Sequence, residues 1–139
     1  MGNAYVALGS NLGDRERALR LALQKIGELP GTRVARSSSF HETDPVGGPS
    51  QGKFLNAAAR LETGLEPLDL LRGLQKIERE MGRPAEHERW GPRVIDLDLL
   101  TYDNLALNTP ELTLPHPRMR ERRFVMVPLH EITDRPKSL

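Results

Sequence analysis

Two stripes of helical period, set among segments that alternate like β-strands, run in the order strand–helix–strand–strand–helix–strand. That order predicts an α+β chain of the split β-α-β, ferredoxin-like kind: an α/β sandwich with a mainly antiparallel sheet and helices packed on it. The helices are expected on one face, leaving the other free to carry a site. Such a fold hosts many unrelated activities and does not by itself assign one.

Residues 4–8 read as a short buried strand ending at a loop over 9–13. A helix follows from Asp14, with Leu19, Ala22, Leu23 and Ile26 on one stripe, and Pro30-Gly31 stops it. Residues 32–41 alternate as one long strand, polar at 37–39. Residues 43–53 have the composition of a loop, with Pro45, Gly47, Gly48, Pro49 and Gly52. Phe54–Thr63 alternates strictly, placing Leu55, Ala57, Ala59 and Leu61 on one face and Phe54 and Asn56 on the other. A second helix spans 67–81, with Pro67 in its first turn, a stripe of Leu70, Leu71, Leu74, Ile77 and Met81, and Gly82 as its stop. A loop over 83–92 leads to a strand at 94–100, and short elements follow near 105–107, 112–114 and 124–132.

With 139 residues, 37% of them hydrophobic, the chain suits one compact domain over 1–139. No apolar run approaches the ~20 residues of a membrane span. Met1-Gly2-Asn3-Ala4-Tyr5 lacks the charged and apolar regions of a secretory signal. The absence of cysteine excludes disulfides and thiolate metal sites and fits a cytoplasmic location. A net charge of +1 argues against a nucleic-acid surface, and 4% aromatic residues argue against an RNA-binding domain of this fold. Arginines nevertheless cluster at Arg89/Arg93 and at Arg118/Arg120/Arg122/Arg123. A local basic pocket in a neutral chain suits a small polyphosphate. The expected partners are therefore small molecules, with no nucleic acid and no membrane, and the chain is expected to be a monomer.

The most informative block is Arg89-Trp90-Gly91-Pro92-Arg93-Val94-Ile95-Asp96-Leu97-Asp98. Strand parity puts Ile95, Leu97 and Leu99 toward the core and Val94, Asp96, Asp98 and Leu100 on the other face. Two aspartates ~7 Å apart along a strand converge on one or two metal ions. Mg²⁺ fits, because it takes oxygen ligands and shares them with substrate phosphates, and arginine forks suit phosphate. The same tripeptide also occurs on solvent-facing strand edges. Phe54 beside Asn56 offers a stacking ring and a paired donor and acceptor to a flat heterocycle, or is a half-buried ring near a turn. Gln75 and Glu78 share a polar helix flank, by default solvated. His116 is held between two prolines. The loop at 9–13 lacks the Gly-Lys-Ser/Thr ending of a P-loop, so it reads as a turn.

Read with Gly9-Ser10-Asn11-Leu12-Gly13, Phe54-Leu55-Asn56-Ala57-Ala58, Leu114-Pro115-His116-Pro117-Arg118-Met119 and Arg122-Arg123-Phe124, the block resembles the signature of the 6-hydroxymethyl-7,8-dihydropterin pyrophosphokinase family. These folate-pathway enzymes move pyrophosphate from ATP to a pterin alcohol. The matches fall in family order and cover most of the chain; the central block is specific, the Gly-Ser-Asn element weak.

The resemblance implies attack by the pterin hydroxymethyl oxygen on the β-phosphorus of ATP, with AMP leaving. Two Mg²⁺ ions, with ATP as co-substrate, would be held by Asp96 and Asp98. Asp98 would also assist deprotonation and Asp96 would reach the pterin. It implies pterin contacts from Phe54, Asn56, Trp90 and Phe124 and from the backbone of Thr43 and Val46. ATP would be contacted by Gln75, Glu78, Trp90, Arg93, His116 and Arg122, with the adenine edge at Leu99 and Thr113. Arg83 and Arg93 would act in catalysis, and the loops at 43–53 and 83–92 would close as lids. Arg123 is an adjacent alternative to Arg122. Departures from the family are Ala85-Glu86, where many relatives carry a second basic residue, and Glu111, where some have Arg. Glu86 and Glu111 favour the rival reading of a non-catalytic binding module.

Overall fold

The computed structural model describes residues 1–43, 53–82 and 94–133. Their elements are strands β1 (Gly2–Ser10), β2 (Thr32–Ser37), β3 (His41–Thr43), β4 (Phe54–Thr63), β5 (Asp96–Tyr102), β6 (Leu107–Asn108) and β7 (Thr113–Leu114). The helices are α1 (Arg15–Gly27), α2 (Pro67–Glu80) and α3 (Arg123–Thr133), the last preceded by a 3₁₀ turn at Met119–Glu121. The main sheet is antiparallel in the order β2-β4-β1-β5, with β3 also pairing β4, while β6 and β7 form a separate hairpin. This is the strand order of the expected β-α-β-β-α-β arrangement. No helix among the described residues is long and apolar enough to cross a membrane.

Local chemistry explains the first two helices. Asp14 accepts the Arg17 N–H at 3.1 Å and so caps α1, whose Ala18, Leu19, Ala22 and Ile26 are buried. Pro67 opens α2, and Gly82 follows it at φ +105°, a conformation that favours glycine. Leu19, Ile26, Leu70, Leu74 and Ile77 pack on Val6, Leu8, Ala57, Leu61, Ile95, Leu97 and Leu99 to form the first core. Strand parity was thus readable from sequence on both β4 and β5.

Three expectations are corrected. The strand expected over 32–41 is two, because Ser38 replaces ladder bonds with its side chain: its Oγ accepts the Ala58 N–H at 2.9 Å and donates to the Ser39 carbonyl at 2.7 Å. The register moves four residues on one side, from Ser37 to His41, against three on β4, from Ala59 to Asn56. Gly9 and Ser10, expected in a loop, complete β1. The far face of the sheet is also not wholly free. Ala7, Ala58 and Leu100 are apolar there, and α3 buries them with Met119, Val125, Leu129 and Ile132 as a second core. Leu100 lies on that face as parity with Asp96 and Asp98 predicts, and it is the extra residue of a bulge, since Val6 pairs Leu99 while Tyr5 pairs Thr101. Tyr102 therefore returns to the first core.

Candidate functional site

Strand register builds the first half of the site. Gly9 on β1 pairs Asn56 on β4 and Asp96 on β5, so three neighbouring strands line up a carboxamide, a bare backbone and a carboxylate on one face. At ~4.8 Å per strand, Asn56 and Asp96 stand ~10 Å apart across Gly9. Asn56 is only 4% exposed. Its Nδ2 donates to Thr43 Oγ1 at 2.6 Å, which fixes the amide's orientation. Its Oδ1 lies 3.1 Å from where a Cβ on Gly9 would sit, with Phe54 Cδ1 at 3.6 Å. The absent side chain is what keeps the floor open between amide and carboxylate. Phe54, half-buried, and Phe124, packed at the rim of the second core, stand on this same face.

The second half is a cleft of about 380 Å³ along the outer edge of β5. Gln75 and Glu78 from α2, Asp98 and Leu99 from β5, Thr113 from β7 and His116 all line it, as does Glu111. Five residues expected around ATP, Gln75, Glu78, Leu99, Thr113 and His116, thus share one cavity with Asp98, the expected metal ligand. Asp98 belongs to both halves: it lines the cleft and sits one row from Asp96, opposite Ala7 and Ala58.

His116 is half-buried. Its backbone N–H donates to the Leu100 carbonyl at 2.8 Å, and its Nδ1 accepts the Arg118 N–H at 3.3 Å. Burial, reinforced by the charges of Arg122 and Arg118 and opposed by Asp98, holds its pKa below the ordinary histidine value. A neutral ring with Nδ1 accepting carries its proton on Nε2, a donor suited to a phosphate oxygen. Arg122 is half-buried and its guanidinium stacks 5.8 Å from the Phe124 ring centroid, whereas Arg123 is exposed. Of the two alternatives, Arg122 is the one beside Phe124 and the one whose charge acts on His116.

Asp96 and Asp98 are half-exposed on a face of small residues, and their oxygens suit Mg²⁺. Among the described residues no group of three or more His, Cys, Asp or Glu side chains could hold a metal. Two carboxylates alone leave room for phosphate oxygens and water in a Mg²⁺ shell, which is the usual arrangement when the substrate is a polyphosphate. Glu111 is not an isolated acid at the cleft: Arg72 Nη2 donates to its Oε2 at 2.9 Å.

Val46, Arg83, Trp90 and Arg93, together with Ala85 and Glu86, lie outside the described residues. One contributor was not expected from the sequence. Gly9 had no signal beyond its place in a Gly-Ser-Asn element, because its role depends on β4 and β5 arriving on either side. Glu78, expected from the resemblance to face ATP, does line the cleft; the default reading of a solvated flank fails, because it is 8% exposed, with Oε2 accepting the Leu97 N–H at 2.7 Å.

The profile of the 7,8-dihydro-6-hydroxymethylpterin-pyrophosphokinase (HPPK) family matches residues 5–134. The chain is 50% identical over 129 residues to the 2-amino-4-hydroxy-6-hydroxymethyldihydropteridine pyrophosphokinase of Bacillus subtilis, covering 93% of this chain and 77% of that one. It is 46% identical over 132 residues to the enzyme of the same name from Haemophilus influenzae, covering 95% and 82%. Among solved structures, an HPPK-DHPS in complex with substrates superposes with a TM-score of 0.73 at 13% identity, covering 94% of this chain. The chain spans 40% of that one, and the likeness concerns the fold.

Proposed function

The chain belongs to the 7,8-dihydro-6-hydroxymethylpterin-pyrophosphokinase family, and from that premise we propose that it transfers pyrophosphate from ATP to the hydroxymethyl group of 6-hydroxymethyl-7,8-dihydropterin, releasing AMP, in folate biosynthesis. The observation that carries this reading to particular residues is the row Asn56–Gly9–Asp96 lying beside a cleft that Asp98 also lines. A flat substrate and a nucleotide bound in these two places meet at the aspartate pair.

In this reading the pterin stacks between Phe54 and Phe124, and its amide edge pairs with Asn56, whose orientation Thr43 fixes. The hydroxymethyl group then points across Gly9 toward Asp96. ATP lies along the edge of β5, its base against Leu99 and Thr113 and its ribose and phosphates between Gln75 and His116. Asp96 and Asp98 would hold Mg²⁺, two ions in this reading, which when bound neutralises the triphosphate and draws electron density from the phosphorus under attack. The substrate oxygen forms a bond to the β-phosphorus as the bond from that phosphorus to the oxygen bridging it to the α-phosphate breaks. AMP leaves with that oxygen, and the hydroxyl proton passes to Asp98. Such transfer depends chiefly on alignment and charge neutralisation. His116 Nε2–H and the Arg122 guanidinium supply fixed positive ends to the departing charge without reorganising.

The reading extends to a single pyrophosphokinase domain over residues 1–139, acting as a cytoplasmic monomer on ATP and a pterin, with no nucleic-acid or membrane partner. Incubating the protein with MgATP and 6-hydroxymethyl-7,8-dihydropterin and identifying the nucleotide product tests the activity. AMP, formed one for one with the pterin pyrophosphate, is expected. ADP would make it an ordinary kinase, and no turnover would leave the binding module as the better account.

A further inference from the structure

Among the described residues β5 closes one side of the sheet, so one row of its backbone groups faces no neighbouring strand. Its Leu97 amide, between the two aspartates, donates instead to Glu78 Oε2 at 2.7 Å across the gap to α2. Glu78 is 8% exposed and forms part of the cleft wall. Burying a carboxylate beside two others is unfavourable unless it is firmly engaged, and a charge-assisted bond to a backbone N–H is such an engagement. Leu97 itself packs in the first core, so the bond and the packed side chain together fix the peptide from which the side chains of Asp96 and Asp98 leave in the same direction.

We propose that Glu78 is a positioning residue for the metal-binding strand: its carboxylate oxygen, by accepting the Leu97 N–H, sets the direction and separation of the Asp96 and Asp98 carboxylates. The proposal rests on the reading of those aspartates as Mg²⁺ ligands. It makes Glu78 act through Leu97 and not through a bond to nucleotide or metal. What the strand requires is an acceptor oxygen at the end of a side chain of this length. Glutamine has one; alanine has none. The free edge explains why the task falls to a side chain, since among the described residues no further strand supplies the acceptor.

Two measurements on wild type, Glu78→Gln and Glu78→Ala test this. The first is hydrogen exchange at the Leu97 amide of the metal-free protein. The second is the Mg²⁺ concentration for half-maximal binding of a non-hydrolysable ATP analogue, followed by calorimetry. Glu78→Ala should exchange Leu97 rapidly and raise the Mg²⁺ half-saturation by about 10- to 100-fold, the usual range for losing a group that orients metal ligands. Glu78→Gln should keep the Leu97 amide protected and stay within about fivefold of wild type. A Gln variant as impaired as the Ala variant would place the role in the charge, and an Ala variant with Leu97 still protected would show that the bond is idle. Either result overturns the proposal. Should Glu78→Ala not fold, Glu78→Gln decides alone: rapid Leu97 exchange, or a half-saturation shifted by more than about tenfold, overturns it. Failure of the metal reading looks different, because the wild type itself would then bind the analogue without regard to Mg²⁺, overturning both.

Discussion

The row Asn56–Gly9–Asp96 and the cleft at the edge of β5 are built by different means. The row crosses three strands of one sheet, with Asn56 buried, its amide held by Thr43, and no side chain on Gly9 to obstruct the floor. The cleft joins a strand edge to a helix, a short hairpin and a segment held by His116. A site made within a sheet inherits the rigidity of the ladder and can match a flat, rigid ligand edge by edge. One made at a sheet edge has unused backbone groups and room for a longer, charged ligand. The difference matches the proposed reading, in which the pterin takes the row, ATP takes the cleft, and Asp98, which belongs to both, stands where they meet.

The largest effect should come from that shared point. Asp98→Asn removes a ligand from the junction and should reduce turnover by about two to four orders of magnitude, given that several kcal/mol of charge stabilisation are lost. Its side chain lies opposite the Leu97 and Leu99 core, so the melting temperature without metal should stay close to wild type. Near-normal turnover with a collapsed melting temperature would make the aspartate structural and erase the junction.

Asn56→Ala should act on one region alone. Leaving the ring's polar edge unpaired costs roughly 1–3 kcal/mol, about 5- to 150-fold in pterin affinity by calorimetry, with the affinity for a MgATP analogue nearly unchanged. An equal loss for both ligands would merge the two regions into one. Gly9→Ala sharpens the same division. Its Cβ would sit 3.1 Å from Asn56 Oδ1, so the amide must move by a few tenths of an ångström. An expected loss of about three- to tenfold in pterin affinity, milder than the usual price of overpacking, should again spare the nucleotide.

The smallest effect belongs to a contact outside both regions. Glu131 on α3 accepts bonds from His41 Nε2 at 3.0 Å, Ser39 N–H at 2.9 Å and Ser39 Oγ at 2.8 Å, and these hold its pKa at about 2. A depressed acid contributes stability above its unfolded pKa of 4.5 that is lost as pH falls from 4.5 toward about 2. The group is well exposed, so screening keeps the contribution small, on the order of 1 °C in melting temperature. Glu131→Gln should flatten that acid limb and alter neither ligand's affinity at pH 7. A fall in either affinity would tie α3 to the site more closely than its packing implies.

Much of this was legible in the sequence, and the limit has a physical form. Strict alternation on β4 and β5 and the helical stripe of α2 report local periodicity, so the faces of Asn56, Asp96 and Leu97 followed from parity. The break at Ser38 and the bulge at Leu100 did not, because one added residue leaves composition unchanged while shifting register. The covering of the far face by α3 depends on Ala7, Ala58 and Leu100, which come together only once the sheet is assembled. The role of Gly9 and the bond from the Leu97 N–H to Glu78 were not legible for the same reason: each depends on a partner distant in sequence.

The central claim is that the metal sits between the row and the cleft. Amide NMR spectra recorded with Mn²⁺ in place of Mg²⁺, in the presence of a non-hydrolysable ATP analogue, test it most directly. The account predicts that Ala7, Gly9, Leu97 and Leu99 broaden first, that Thr32, Glu62 and Thr63 at the opposite end of the sheet stay sharp, and that Asp98→Asn sharply weakens the broadening. Broadening centred away from β5, or unchanged by Asp98→Asn, would contradict it.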